Sequence, residues 1–183
     1  LACIALHNLD RVGVGAFAAG LGASLPPVKA RHHMARLLAF LGALPCAGET
    51  RFGTALREFA ARARSPGLAI LISDLLGGED VEDGIEALLY SGHEVAVIQV
   101  LAEAEIDPPL DGALRLVDAE TGRELVVTVV REPTRLVRLQ IDRRLQRIES
   151  FYRRRGVEYL RASTAIAFED VVLKYLRQGT HLR

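Results

Sequence analysis

The chain has 183 residues, half of them hydrophobic, enough for one well-cored domain spanning 1–183. Its 23 basic and 23 acidic side chains cancel, so no global field draws it toward nucleic acid or a membrane surface. Two cysteines, Cys3 and Cys46, lie far apart without metal-ligand spacing, which argues against zinc or a structural disulfide and fits a reducing compartment.

Taken in order, 1–9 reads as the tail of an apolar helix, and Arg11–Phe17 as a strand whose glycines permit close packing. Gly and Pro punctuate Gly20–Pro27, which predicts a turn or short edge strand. Met34, Leu37, Leu38, Leu41 and Leu44 recur at helical steps over Ala30–Leu44, and Pro45 ends that helix. A second helix is expected from Thr50 to Arg64, with Thr50 as its N-cap and Phe52, Leu56, Phe59 and Ala63 inward.

Leu68–Ile72 is continuously apolar, as in a strand buried on both faces of a parallel sheet, and Glu94–Leu101 is of the same kind. Between them Val81–Ser91 reads as a helix stopped at Gly92. Gly112–Val130 alternates apolar and polar residues around Asp118-Ala119-Glu120-Thr121-Gly122, a hairpin expected at the sheet edge. Pro133 opens a long helix to Arg155 with Val137, Ile141, Leu145, Ile148 and Tyr152 as its inner stripe. Val157–Leu160 is a short strand and Phe168–Gln178 a closing helix. The repeated strand–helix alternation predicts an α/β fold with a doubly wound, mostly parallel sheet.

Charge is unevenly spread. From Asp74 to Glu124 there are 14 acids and two arginines, 2 − 14 = −12. From Arg131 to Arg155 there are nine arginines and three acids, 9 − 3 = +6. These blocks read first as solvated faces. The arginine block has no interleaved aromatic platform beyond Phe151 and Tyr152, so an acidic protein partner fits it better than nucleic acid. His32 and His33 are adjacent and point about 100° apart on a helix, so they do not clasp one ion.

Two stretches concentrate chemistry: Gly48–Leu56, a Gly-flanked loop entering a helix past the Thr50 hydroxyl, and Leu68–Leu76, a strand delivering Asp74 at its C-terminal end. In open α/β sheets such ends converge on one crevice. The Ser73-Asp74-Leu75-Leu76, Gly92-His93-Glu94-Val95 and Asp118-Ala119-Glu120-Thr121-Gly122 segments together resemble the bacterial family called domain of unknown function 58. The order of elements resembles a von Willebrand factor type A domain, a three-layer α/β sandwich.

That resemblance implies a metal-ion-dependent adhesion site in which Thr50 and Asp74 are oxygen ligands, a set suited to Mg²⁺. The Asp-x-Ser-x-Ser loop of such sites is absent, and the one methionine is Met34, so the chain is expected to be an N-terminally truncated piece of a longer protein. The metal site is then incomplete: no tightly held cofactor is expected here, and Mg²⁺ only in the full-length protein. A missing first strand would leave unpaired sheet edges, through which two copies could exchange strands as a homo-oligomer.

The resemblance implies protein–protein interaction without catalysis, in partnership with a MoxR-type AAA+ ATPase during assembly or maturation of other complexes. An alternative is a metal-dependent phosphoester hydrolase using the crevice around Thr50 and Asp74, although neither loop carries a placed general base. No apolar run approaches the roughly 18 residues of a membrane span. A bacterial cytoplasmic location is expected, with an anchor in a longer parent left open.

Overall fold

A computed structural model describes residues 1–45, 48–63, 65–76, 80–108, 112–118, 120–129, 133–167 and 169–173. The chain condenses into two compact units, Leu1–Pro66 with Gly77–Gly92, and Gly67–Leu76 with His93–Arg183.

The first unit opens with α1 (Ala2–His7), followed by the antiparallel pair β1 (Arg11–Phe17) and β2 (Leu21–Lys29). The Gly- and Pro-rich stretch expected as a turn or short strand is thus most of a nine-residue strand. Its adjacent prolines, Pro26 and Pro27, fall where the pairing slips between Val12↔Val28 and Val14↔Leu25, an irregularity of the kind that accommodates proline in a strand. Ala30 then takes φ 87, turning the chain through a 3-10 segment, Arg31–His33, before α2 (Met34–Gly42) can start. The helix expected from Ala30 to Leu44 is shortened accordingly. Leu6, Leu25 and Leu37 form a buried core with Val12, Val14, Val28, Met34 and Phe40 around it.

Helices α3 (Phe52–Arg62) and α4 (Val81–Tyr90) complete this unit. They approach closely because two glycines face the contact. A Cβ at Gly84 would stand 2.7 Å from Leu56 Cδ1 and 2.9 Å from Leu56 Cβ. One at Gly53 would stand 2.9 Å from the Asp80 carbonyl oxygen. Glu58 of α3 accepts the Leu21 N–H at 3.0 Å, and the Phe17 and Phe52 rings pack with centroids 5.6 Å apart.

The second unit carries a parallel sheet of β3 (Leu68–Ser73), β4 (Glu94–Leu101) and β7 (Glu158–Ser163), with β4 in the middle. The expectation of a strand buried on both faces holds for β4, where Val95, Ala96, Val97 and Ile98 are all buried. It fails for β3, which lies at the sheet edge with Leu68 38% and Ile72 57% exposed. A short α5 (Glu103–Ile106) follows β4.

β5 (Gly112–Val117) and β6 (Glu124–Val129) form the expected hairpin, but as a two-stranded sheet of their own rather than an addition to the parallel edge. Asp118 Oδ1 organises its turn, accepting the N–H groups of Glu120 and Thr121 at 2.9 and 2.8 Å. Those donors hold the Asp118 carboxyl below its ordinary pKa.

The long helix α6 (Pro133–Arg154) buries Leu145 and Tyr152 and half-buries Val137, Ile141 and Ile148, the stripe read from the sequence. Arg155 sits 3.9 Å from the Phe151 ring centroid, and Gly156, at φ 67, turns the chain toward β7. Of the closing helix, 169–173 are helical and the remainder lies outside the described residues. Among the described residues, no helix is long and apolar enough to cross a membrane.

Candidate functional site

The apolar run of β3 ends in Ser73-Asp74-Leu75-Leu76, a turn assembled from its own polar side chains. Asp74 Oδ1 accepts the Leu76 N–H at 3.0 Å, and Ser73 Oγ accepts the Leu75 N–H at 3.2 Å. Leu75 takes φ 57, a left-handed conformation rare for a branched residue, while its side chain is 2% exposed. The conformation costs about 1–2 kcal/mol, and burial of a leucine contributes about 1.5–3 kcal/mol. Burial wins, and the turn holds.

Two more elements clamp the turn. Gln99 of β4 is completely buried, and its Nε2 donates to the Asp74 carbonyl at 2.7 Å. Its Oε1 accepts the hydroxyl of Tyr159 from β7, so both ends of the buried amide are used. The Tyr159 ring stacks on Tyr152 of α6 with centroids 5.4 Å apart. Burial raises the Tyr159 hydroxyl pKa above its ordinary value, which the neighbouring Arg161 partly opposes. From α6, Arg144 Nη2 donates to the carbonyls of Leu76 at 2.7 Å and Leu75 at 3.3 Å.

The backbone around Asp74 is therefore tied to β4 through Gln99, which Tyr159 of β7 holds in turn, and to α6 through Arg144, while its carboxylate is exposed. Oδ2 has no hydrogen-bond partner among the described residues. A carboxylate on a clamped turn at the C-terminal end of a parallel strand can accept from a partner's donor or ligate a hard cation.

Thr50 lies in the first unit, half-buried, just before α3. Its predicted capping role is corrected: the N-cap is Arg51, and no side chain of the cap residue bonds the helix. Instead Asp80, at the start of α4, accepts the Gly53 N–H at 2.8 Å through Oδ2. A carboxylate distant in sequence satisfies the donor and complements the positive helix end, so a local cap is not required. The same carboxylate occupies the terminus a phosphate would need.

The Asp74 carboxylate and the Thr50 hydroxyl are each oxygen donors of the type a hard cation takes, and they lie in different compact units. Among the described residues, no three His, Cys, Asp or Glu side chains gather to hold a metal ion. Sequence reasoning missed Gln99, Tyr159, Arg144 and Asp80. Only Gln99 announced itself, as the one amide inside the apolar run Val95–Leu101, where a buried polar group demands a partner.

Two solved structures are similar to this chain. One is the conserved hypothetical protein BatB from Bacteroides thetaiotaomicron, 14% identical, with a TM-score of 0.51 over 96% of this chain and 80% of that one. The other is an aerotolerance-related membrane protein from Bacteroides fragilis, carrying multiple mutations to serines, 15% identical, with a TM-score of 0.52 over 96% and 82%. At such identities the likeness is one of fold. No curated protein matches the chain. The model of the family described as protein of unknown function DUF58 matches residues 1–150, and the chain belongs to that family.

Proposed function

We propose that this chain is a protein-interaction module of the von Willebrand factor type A kind, and that Asp74 is the group its partner reads. One observation carries the reading: an exposed carboxylate on a turn whose carbonyls are held by buried Gln99 and by Arg144. Such clamping positions a group for recognition, because little ordering entropy remains to be lost when the partner arrives. A divalent cation, Mg²⁺ by donor chemistry, would be held by Asp74 and completed by a carboxylate of the partner. The cation would supply a charge that neither carboxylate can offer the other. The shortage of ligands among the described residues favours a site shared between two proteins over a closed resident one.

The partner class is a MoxR-type AAA+ ATPase, from the resemblance stated above, and the role is assembly rather than catalysis. The domain works in the bacterial cytoplasm. The description of one similar structure as a membrane protein is compatible with an anchor elsewhere in a longer parent.

The test is calorimetry of this chain against a purified MoxR-type ATPase, with Mg²⁺ and with EDTA. Binding is expected only with Mg²⁺, and Asp74→Asn, which keeps the turn acceptor Oδ1, is expected to weaken it at least about tenfold. Affinity unchanged by Asp74→Asn, or by EDTA, sinks this reading.

A further inference from the structure

Arg143, Arg147 and Arg154 of α6 are exposed and have no ion-pair or hydrogen-bond partner among the described residues. At 100° per residue they lie within about 40° of arc, a stripe about 17 Å long. Nearby, Arg138 pairs with Asp107, and Glu149 with Arg153 and Arg161. Arg143 and Arg147 are one helical turn apart and repel each other, and both precede the last turn, where a helix dipole would reward them. The stripe is locally unfavourable as it stands, and an anionic surface would relieve it.

The chain itself carries such a surface. On α4, Glu82, Asp83 and Glu86 are exposed, and Tyr90, on the same face, is 96% exposed. These four span about 12 Å along the helix and about 100° of arc. An arginine fork matches a carboxylate through two parallel hydrogen bonds, and its plane stacks on a tyrosine ring. With 23 charges of each sign and a sequence pI of about 7.2, copies of this chain meet near neutral pH without net repulsion.

We propose that the α6 arginine stripe of one copy docks on the acidic, tyrosine-bearing α4 face of a second copy. The contact joins different surfaces, so it is heterologous and repeats head to tail, closing into rings or growing as short filaments. It is electrostatic and therefore salt-sensitive, unlike pairing of sheet edges through backbone hydrogen bonds.

Sedimentation of the purified chain at about 20 mM and about 500 mM NaCl, where the Debye length falls several-fold, reads the contact directly. In low salt the weight-average mass is expected to rise with concentration from 20.0 kDa to at least twice that value, and in high salt to return to it. Arg143→Glu with Arg147→Glu, and separately Glu82→Arg with Asp83→Arg, should each weaken association at least about tenfold, with circular dichroism unchanged. Mixing the two reversed proteins should restore a complex containing both. Because Glu82 and Asp83 occupy the first turn of α4, Glu82→Gln with Asp83→Asn provides a milder variant with the same expected direction. A chain that stays monomeric in low salt overturns the proposal. So does association that survives high salt or either reversal, which would indicate edge pairing, and so does failure of the mixture to associate.

Discussion

At the residue scale, buried Gln99 is the pivot of the candidate site. It links the Asp74 carbonyl to the Tyr159 hydroxyl, and only a protonated hydroxyl can donate that bond. Tyr159 has its pKa raised in the folded state, chiefly by burial. Its contribution to stability is therefore fully present below the unfolded value near 10 and is lost as pH rises through the higher folded value. Thermal melts above pH 10 are expected to fall more steeply for this chain than for Tyr159→Phe, which has no proton to lose there. Parallel curves would remove Tyr159 from the account. None of this could be read from spacing, because Gln99 and Tyr159 are 60 residues apart and meet only through the register of parallel strands.

At the scale of elements, the contact between α3 and α4 depends on glycine as a spacer. Substituting Gly84 by Ala gains up to about 1 kcal/mol of helix propensity. Against that, the new methyl would meet Leu56 Cβ at 2.9 Å, an atom fixed to the helix backbone that cannot rotate away. Overpacking of this kind costs about 1–3 kcal/mol, so net destabilisation is expected, lowering Tm by about 2–8 °C. A Gly84→Ala protein as stable as the parent would show that the helices separate freely. Most element types were legible in the sequence: the α6 stripe of Val137, Ile141, Leu145, Ile148 and Tyr152 faces inward as its period required. The departures sit where a long-range partner intervened, as when Asp80 took the capping role expected of Thr50.

At the scale of the whole molecule, charge is balanced in total and segregated in sequence. The ion pairs among the described residues have side chains 36–79% exposed, so each contributes at most about 1 kcal/mol, less in salt. Raising NaCl from about 20 to about 500 mM is therefore expected to shift Tm by no more than about 4 °C for each pair it weakens. A larger fall, measured at a concentration where the chain is monomeric, would show that charge pairing holds the fold itself. Fold stability rests instead on apolar burial: Leu6, Leu25 and Leu37 in the first unit, and Val95, Ala96, Val97 and Ile98 in the second.

The amino-acid sequence by itself determined the α/β class, the order and type of most elements, the inward stripe of α6 and the placement of Asp74 at a strand end. Each follows from local periodicity and turn chemistry, which act over a few residues. Only the tertiary structure decided that β3 is an edge strand, that the hairpin stands as its own sheet, that Asp80 completes α3, and that Gln99, Tyr159 and Arg144 hold the Asp74 turn. Those outcomes depend on which distant backbone groups come within hydrogen-bonding reach, and chain closure over tens of residues leaves no local pattern to read.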